Sequence, residues 1–131
     1  MKKILIVDDE PHMLRVLQFT LAAAGYEVCT ESDGKAGYDH VLAAPPDVLI
    51  SDIRMPRMDG RKMMQAIHQA MPQRRFLVLV MSSLTAREER DWVRELGNVE
   101  FLEKPVSPRQ LVVRLARHFE SLAIAEASQG A

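Results

Sequence analysis

"DVLISDIRMPRMDG", residues 47–60, opens with the apolar run Val48, Leu49 and Ile50 of a buried strand and then halts on Asp52. The turn that follows has its own chemistry in Pro56 and Asp59-Gly60, which are enough to redirect a chain. Asp52 is therefore surplus to the turn. "KKILIVDDEP", residues 2–11, repeats the arrangement, its apolar run from Ile4 to Val7 ending on Asp8 and Asp9. Two strands of buried character each end in acid.

Working outward, apolar runs alternate with segments of helical period. Strands are predicted at Lys3 to Asp8, Tyr26 to Glu31, Asp47 to Asp52, Phe76 to Ser82 and Val99 to Leu102. Between them, Leu14, Leu17, Leu21 and Ala24 fall at helical spacing, as do Leu111, Leu115, Phe119 and Leu122. Pro11 suits a first helical position, while Thr85 with Glu88, and Ser107-Pro108 with Gln110, are capping boxes. Strands alternating with helices predict an α/β fold, a five-stranded parallel sheet with helices on both faces, because parallel crossovers lay helices over the strands. The first, third and fourth strands are the most continuously apolar and belong at the centre. In such a sheet a site forms beyond the carboxyl ends of the strands. Asp8, Asp9, Asp52, Ser82 and Lys104 all fall at that edge, although they are far apart in sequence.

Composition agrees with one ordinary domain. The chain has 131 residues, 47% hydrophobic and 27% charged, with a net charge of −1. That balance provides no basic field for nucleic acid or an anionic membrane, so neither is an expected partner. No apolar stretch is long enough to span a bilayer and acids interrupt the N-terminal run, so the expected location is cytoplasmic. Cys29, the single cysteine, is expected at a buried strand position. Residues 1–122 are read as the domain and 123–131, "AIAEASQGA", as a tail or linker stub. His12, His40, His68 and His118 lack ligand spacing and are placed at the surface or boundary. Met63, Met64 and Met81 are placed in the core, and Arg74-Arg75 at the entry to the fourth strand.

Each edge residue alone has a structural reading: Asp8 and Asp9 favour a helix N-terminus, Asp52 a turn, Ser82 a strand end, Lys104 a solvated loop. Their convergence is what carries chemistry. A carboxylate pair ~4 Å apart costs about 4 kcal/mol at an effective dielectric near 20. Lys104 offsets one of three charges, leaving a deficit that one divalent ion would meet. Oxygen donors suit a hard cation, and Mg²⁺ commonly uses one or two carboxylates plus a phosphate oxygen. A carboxylate nucleophile, a metal, a lysine and a hydroxyl together are suited to phosphoryl transfer.

From about Lys2 to Phe119 the sequence resembles a receiver domain of the bacterial response regulators of two-component signalling. The resemblance rests on "ILIVDDEP", "DVLISDIRMPRMDG", "VLVMSS" and "FLEKPVS", in order and at the family's spacing. It implies a flavodoxin-like (βα)5 doubly wound fold with strand order 2-1-3-4-5. It implies further that Asp52 is the phosphoacceptor and that Mg²⁺ is held by Asp9, Asp52 and the backbone carbonyl of Arg54, with Asp8 acting through water. Ser82 and Phe101 take the switch positions and Lys104 the phosphate-pairing position. The implied partner is a sensor histidine kinase or a histidine phosphotransfer protein, with a phosphorylation-dependent homodimer allowed. The implied role is a signalling domain rather than an enzyme, whose switched surface comprises the helix from Ala86 to Leu96, the fifth strand and the helix from Pro108 to Leu122. The alternative is a phosphorylation-silent interaction module of the same fold.

Departures from the family are specific. Ser83 stands where Ala is usual, and "GNVEF", residues 97–101, lacks the two adjacent acids of many dimerising regulators, although Arg87, Glu88, Arg94 and Arg114 offer other pairs. Two rivals fail on sequence. A flavin binder needs a Ser-, Thr- and Gly-rich phosphate loop where "DDEP" would repel phosphate. A haloacid-dehalogenase-type phosphatase needs an Asp where Arg54 stands.

Overall fold

In the computed structural model, residues 1–82, 91, 94 and 96–129 are described. The elements are β1 (Lys3–Val7), α1 (Pro11–Ala23), β2 (Glu27–Glu31), α2 (Gly34–Ala43), β3 (Val48–Asp52), α3 (Gly60–Ala70), β4 (Leu77–Ser82), β5 (Val99–Glu103) and a C-terminal helix (Pro108–Gln129). All neighbouring strands pair in parallel, in the order β2-β1-β3-β4-β5. The expected architecture and order are thus what the chain adopts. Asp91, Arg94 and Leu96 are helical, but most of the expected helix from Ala86 to Leu96, with the Thr85–Glu88 cap, lies outside the described residues.

Burial follows position in the sheet. Every residue of β3 and β4 is buried, as are the last four of β1, whereas β2 and β5 are only partly covered. Alternate side chains feed two cores, as a sheet covered on both faces requires. On one face Leu5, Leu49 and Val78 pack with Val41 of α2 and Met63, Met64 and Ile67 of α3. On the other, Ile4, Ile50 and Leu79 pack with Leu17 and Leu21 of α1 and Leu111 and Leu115 of the C-terminal helix. Each fully buried Leu or Ile contributes about 1.5–3 kcal/mol.

Helix ends follow local chemistry. Pro11 opens α1; the carboxylates of Asp33 and Asp59 cap α2 and α3 by accepting from Ala36 and Lys62 N–H; and Ser107 Oγ accepts from Gln110 N–H at 3.3 Å. The C-terminal helix continues to Gln129, beyond the Ala123 boundary, and Ser121 to Ser128 are exposed, so that stretch adds no core stripe.

One expectation is corrected. Cys29 is exposed, not buried. It lies on β2, an edge strand, and "YEVCTE" has the alternation of a strand without revealing which edge it occupies.

Because Ile50 is fully buried and Phe19 is 79% exposed, Ile50→Ala should cost about 2–5 kcal/mol and Phe19→Ala no more than about 0.5 kcal/mol. Urea denaturation of both variants checks the placement of the two side chains.

Candidate functional site

Parallel register decides which strand ends meet. Val7 lies opposite Ser51, Asp52 opposite Met81, and Ser82 opposite Glu103. Residues immediately beyond β1, at the end of β3 and β4, and just past β5 therefore share one edge. Asp8, Asp52, Ser82 and Lys104 are those residues.

Asp52 is 7% exposed. Its Oδ1 accepts the Ile53 N–H at 2.8 Å, and its Oδ2 lies 3.0 Å from Lys104 Nζ. Lys104 is anchored through its backbone, whose N–H donates to Ser82 O at 2.9 Å. Asp8 is fully buried, and its Oδ1 accepts the Glu10 N–H at 3.0 Å. Its Oδ2 is buried with no hydrogen-bond partner among the described residues. Asp9 is exposed, and one oxygen each from Asp8, Asp9 and Asp52 lies within 4.8 Å of the others. An orphaned buried carboxylate oxygen in an all-oxygen cluster fits a hard divalent cation such as Mg²⁺.

Burial pushes the Asp8 carboxyl above its usual value of 3.8; the Glu10 N–H opposes the rise, Asp52 adds to it, Lys104 opposes it and Asp9 adds to it. The charged form is therefore under strain in the folded protein.

The loop after β3 closes against Asp52 at Gly60. The Gly60 N–H donates to Ile53 O at 2.6 Å, and a Cβ on Gly60 would stand 2.3 Å from Asp52 O. Only glycine permits that approach. Arg57 occupies the left-handed region with φ 66°, and its guanidinium lies 3.6 Å from the α2 cap Asp33. The "DG" pair signalled a turn but not its contact with Asp52. Arg54 lies in this loop and is exposed.

Ser82 is buried, and Phe101, opposite Val80, is partly buried against the core that includes Val78 and Val80. The histidines stay outside the site. His40 Nδ1 is 3.1 Å from Glu31 Oε1, and His118 sits edge-on to Phe119. Met63, Met64 and Met81 are core residues. Arg114 pairs with Glu100 on β5, a pair within the chain.

Fold and site together define a doubly wound parallel α/β domain whose carboxyl-edge crevice gathers three acids opposite a lysine. The chain belongs to the response regulator receiver domain family, whose model matches residues 4–116. It is 35% identical over 117 residues to the alkaline phosphatase synthesis transcriptional regulatory protein PhoP of Bacillus subtilis, covering 87% of this chain and 47% of that protein. It is 34% identical over 114 residues to the probable transcriptional regulator ycf27 of Guillardia theta, covering 87% and 44%. The chain thus spans about half the length of these curated relatives. The solved structure of the chemotaxis response regulator CheY4 of Vibrio cholerae superposes with a TM-score of 0.81 at 32% identity, covering 89% of this chain and 98% of that one. This is a receiver domain of the two-component class. No helix among the described residues is long and apolar enough to cross a membrane.

The raised Asp8 value has a signed consequence. Since the folded value lies above the unfolded one, the stability associated with Asp8 is full below about 3.8 and is lost as pH rises through the raised folded value. Asp8→Asn should therefore stabilise the metal-free protein at neutral pH by about 0.5–2 kcal/mol, with the gain shrinking as the solution is acidified. Urea denaturation in EDTA across pH measures it, and a destabilised variant at pH 7 would contradict the strain.

Proposed function

We propose that this chain is the phosphoacceptor of a two-component phosphorelay, receiving a phosphoryl group on Asp52 from the phosphohistidine of a sensor histidine kinase or histidine phosphotransfer protein in the cytoplasm. The observation that carries this reading is Asp52 itself, buried at the end of a central strand between two acids and a lysine 3.0 Å away.

In the transfer, an Asp52 carboxylate oxygen attacks phosphorus and forms an acyl phosphate. The donor P–N bond breaks, and its electron pair stays on the imidazole nitrogen. Asp9, Asp52 and the carbonyl of Arg54 would hold Mg²⁺, with Asp8 acting through water. When bound, the ion supplies positive charge to the phosphoryl oxygens. Lys104 exchanges its contact with Asp52 for a phosphoryl oxygen, and the Ser82 hydroxyl donates to another. Gly60 keeps the loop backbone close to Asp52. Donor-driven self-phosphorylation and its hydrolysis are the only chemistry this requires of the chain.

Acetyl phosphate with Mg²⁺ should add one phosphoryl mass to the wild type and none to Asp52→Asn, read by intact-mass spectrometry. Label retained in Asp52→Asn would overturn the assignment, and no label on the wild type would favour the silent interaction module. Mg²⁺ affinity by calorimetry should fall in Asp9→Asn and hold in His12→Gln.

The phosphoryl group brings roughly −1.5 to −2 charges. Ser82 moves toward it, and Phe101, two residues before Glu103 on the adjacent strand, repacks into the space released. The surface of the helix from Ala86 to Leu96, β5 and the C-terminal helix then changes shape and recruits an output partner or a second copy. Two packings separated by a few kcal/mol suffice for such a shift. In amide NMR spectra, beryllofluoride should move Phe101 and Arg94 in the wild type and much less in Ser82→Ala. Shifts confined to the loops around Asp52 would sink the switch while leaving phosphorylation intact.

A further inference from the structure

At the opposite edge of the sheet, the strand N-termini and the last turns of the C-terminal helix line an open cavity of about 580 Å³. This lies within the size range of small-molecule sites. Its walls are largely apolar, with Pro46, Met71, Phe76 and Leu122 among them. Arg74 and His118 also line it, and each carries a buried nitrogen, Nε and Nε2 respectively, with no hydrogen-bond partner among the described residues.

Arg74 is an unusual cation. It donates to Phe76 O at 3.0 Å and to Gly97 O at 2.6 Å, and its guanidinium lies 5.5 Å from the Phe76 ring centroid. Among the described residues no carboxylate pairs with it. Burial lowers its pKa, as expected for a charge removed from water. Two carboxylates line the same cavity, but Asp47 already accepts the Lys3 N–H at 2.7 Å, and Glu126 is exposed on an outer turn. Along the cavity, the buried Arg74 Nε–H and the guanidinium charge stand beside apolar walls. That is the complement of a carboxylate attached to an apolar body, since a guanidinium offers adjacent N–H groups in the plane a carboxylate needs.

We propose that this cavity is a binding site for a small organic carboxylate, its anionic group on Arg74 and its apolar body against Phe76, Met71 and Leu122. It is separate from the acidic crevice and does not depend on phosphorylation. Its occupant would also be sensed beyond the cavity. Arg74 holds Gly97 O, and the Asn98 side chain in return donates to Arg75 O and Phe76 O at 2.9 and 3.1 Å, joining the loops before β4 and β5.

The test is an NMR titration of the full chain with phenylacetate, using benzyl alcohol as the uncharged control, in wild type and Asp52→Asn. Expected are saturable shifts at the Arg74 Nε–H and the Phe76 and Gly97 amides, with a Kd of about 1 mM or tighter, in both proteins. Arg74→Leu should abolish them. Because that change also removes the bond to Gly97 O, Leu122→Glu at the cavity rim gives a second arm, expected to weaken phenylacetate at least about tenfold while leaving the spectrum folded. No saturable response, an equal response to benzyl alcohol, or unchanged affinity in Leu122→Glu would each overturn the proposal.

Discussion

Three carboxylates lie within 4.8 Å of one another at the sheet edge, and one ammonium, Lys104 Nζ, stands 3.0 Å from Asp52. Like charges so placed, with Asp8 fully buried and one of its oxygens unpartnered, oppose folding. Everything else in the domain either offsets that cost or keeps the geometry that creates it. The same imbalance leaves the edge with oxygen donors that a hard divalent cation fits, because a site already satisfied internally would have none to offer.

The offset comes from the sheet. Two apolar cores, one on each face, meet across fully buried β3 and β4, and their burial outweighs a strained acidic edge many times over. Rigidity matters as much as energy. Asp52 is the last residue of a strand buried along its whole length, and Gly60 closes the following loop against it with no room for a Cβ. The Asp52 carboxylate is thus held by backbone packed closely against its neighbours, the condition under which local strain persists.

The two edges of the sheet differ in kind. The carboxyl edge concentrates negative charge in short loops, whereas the amino edge carries Arg74, which has no carboxylate partner among the described residues, and the reciprocal bonds between the segment at Arg74–Phe76 and Gly97–Asn98. Asn98 takes a left-handed φ of 53° to make its part of that contact. β4 and β5 therefore enter the sheet from a pinned start and finish at Ser82 and Glu103 beside the acidic crevice.

Much of this was legible in the residues themselves. Apolar runs that end in acid marked β1 and β3, their continuity marked the central strands, and local signals such as Pro11 and Ser107 marked helix starts, because strand character and capping depend on neighbours within a few positions. A parallel sheet by itself puts Asp8, Asp9, Asp52, Ser82 and Lys104 on one edge. What the chain alone could not disclose were contacts between segments distant in sequence. The exposure of Cys29 depends on β2 lying at the sheet edge. The roles of Gly60 against Asp52 O and of Arg74 on Gly97 O, 23 residues away, depend on how loops from different crossovers come to rest. Asp8 and Asp9 are adjacent and chemically identical, yet only Asp8 is buried, since the direction each side chain takes beyond a strand is set by the packing around it rather than by its identity.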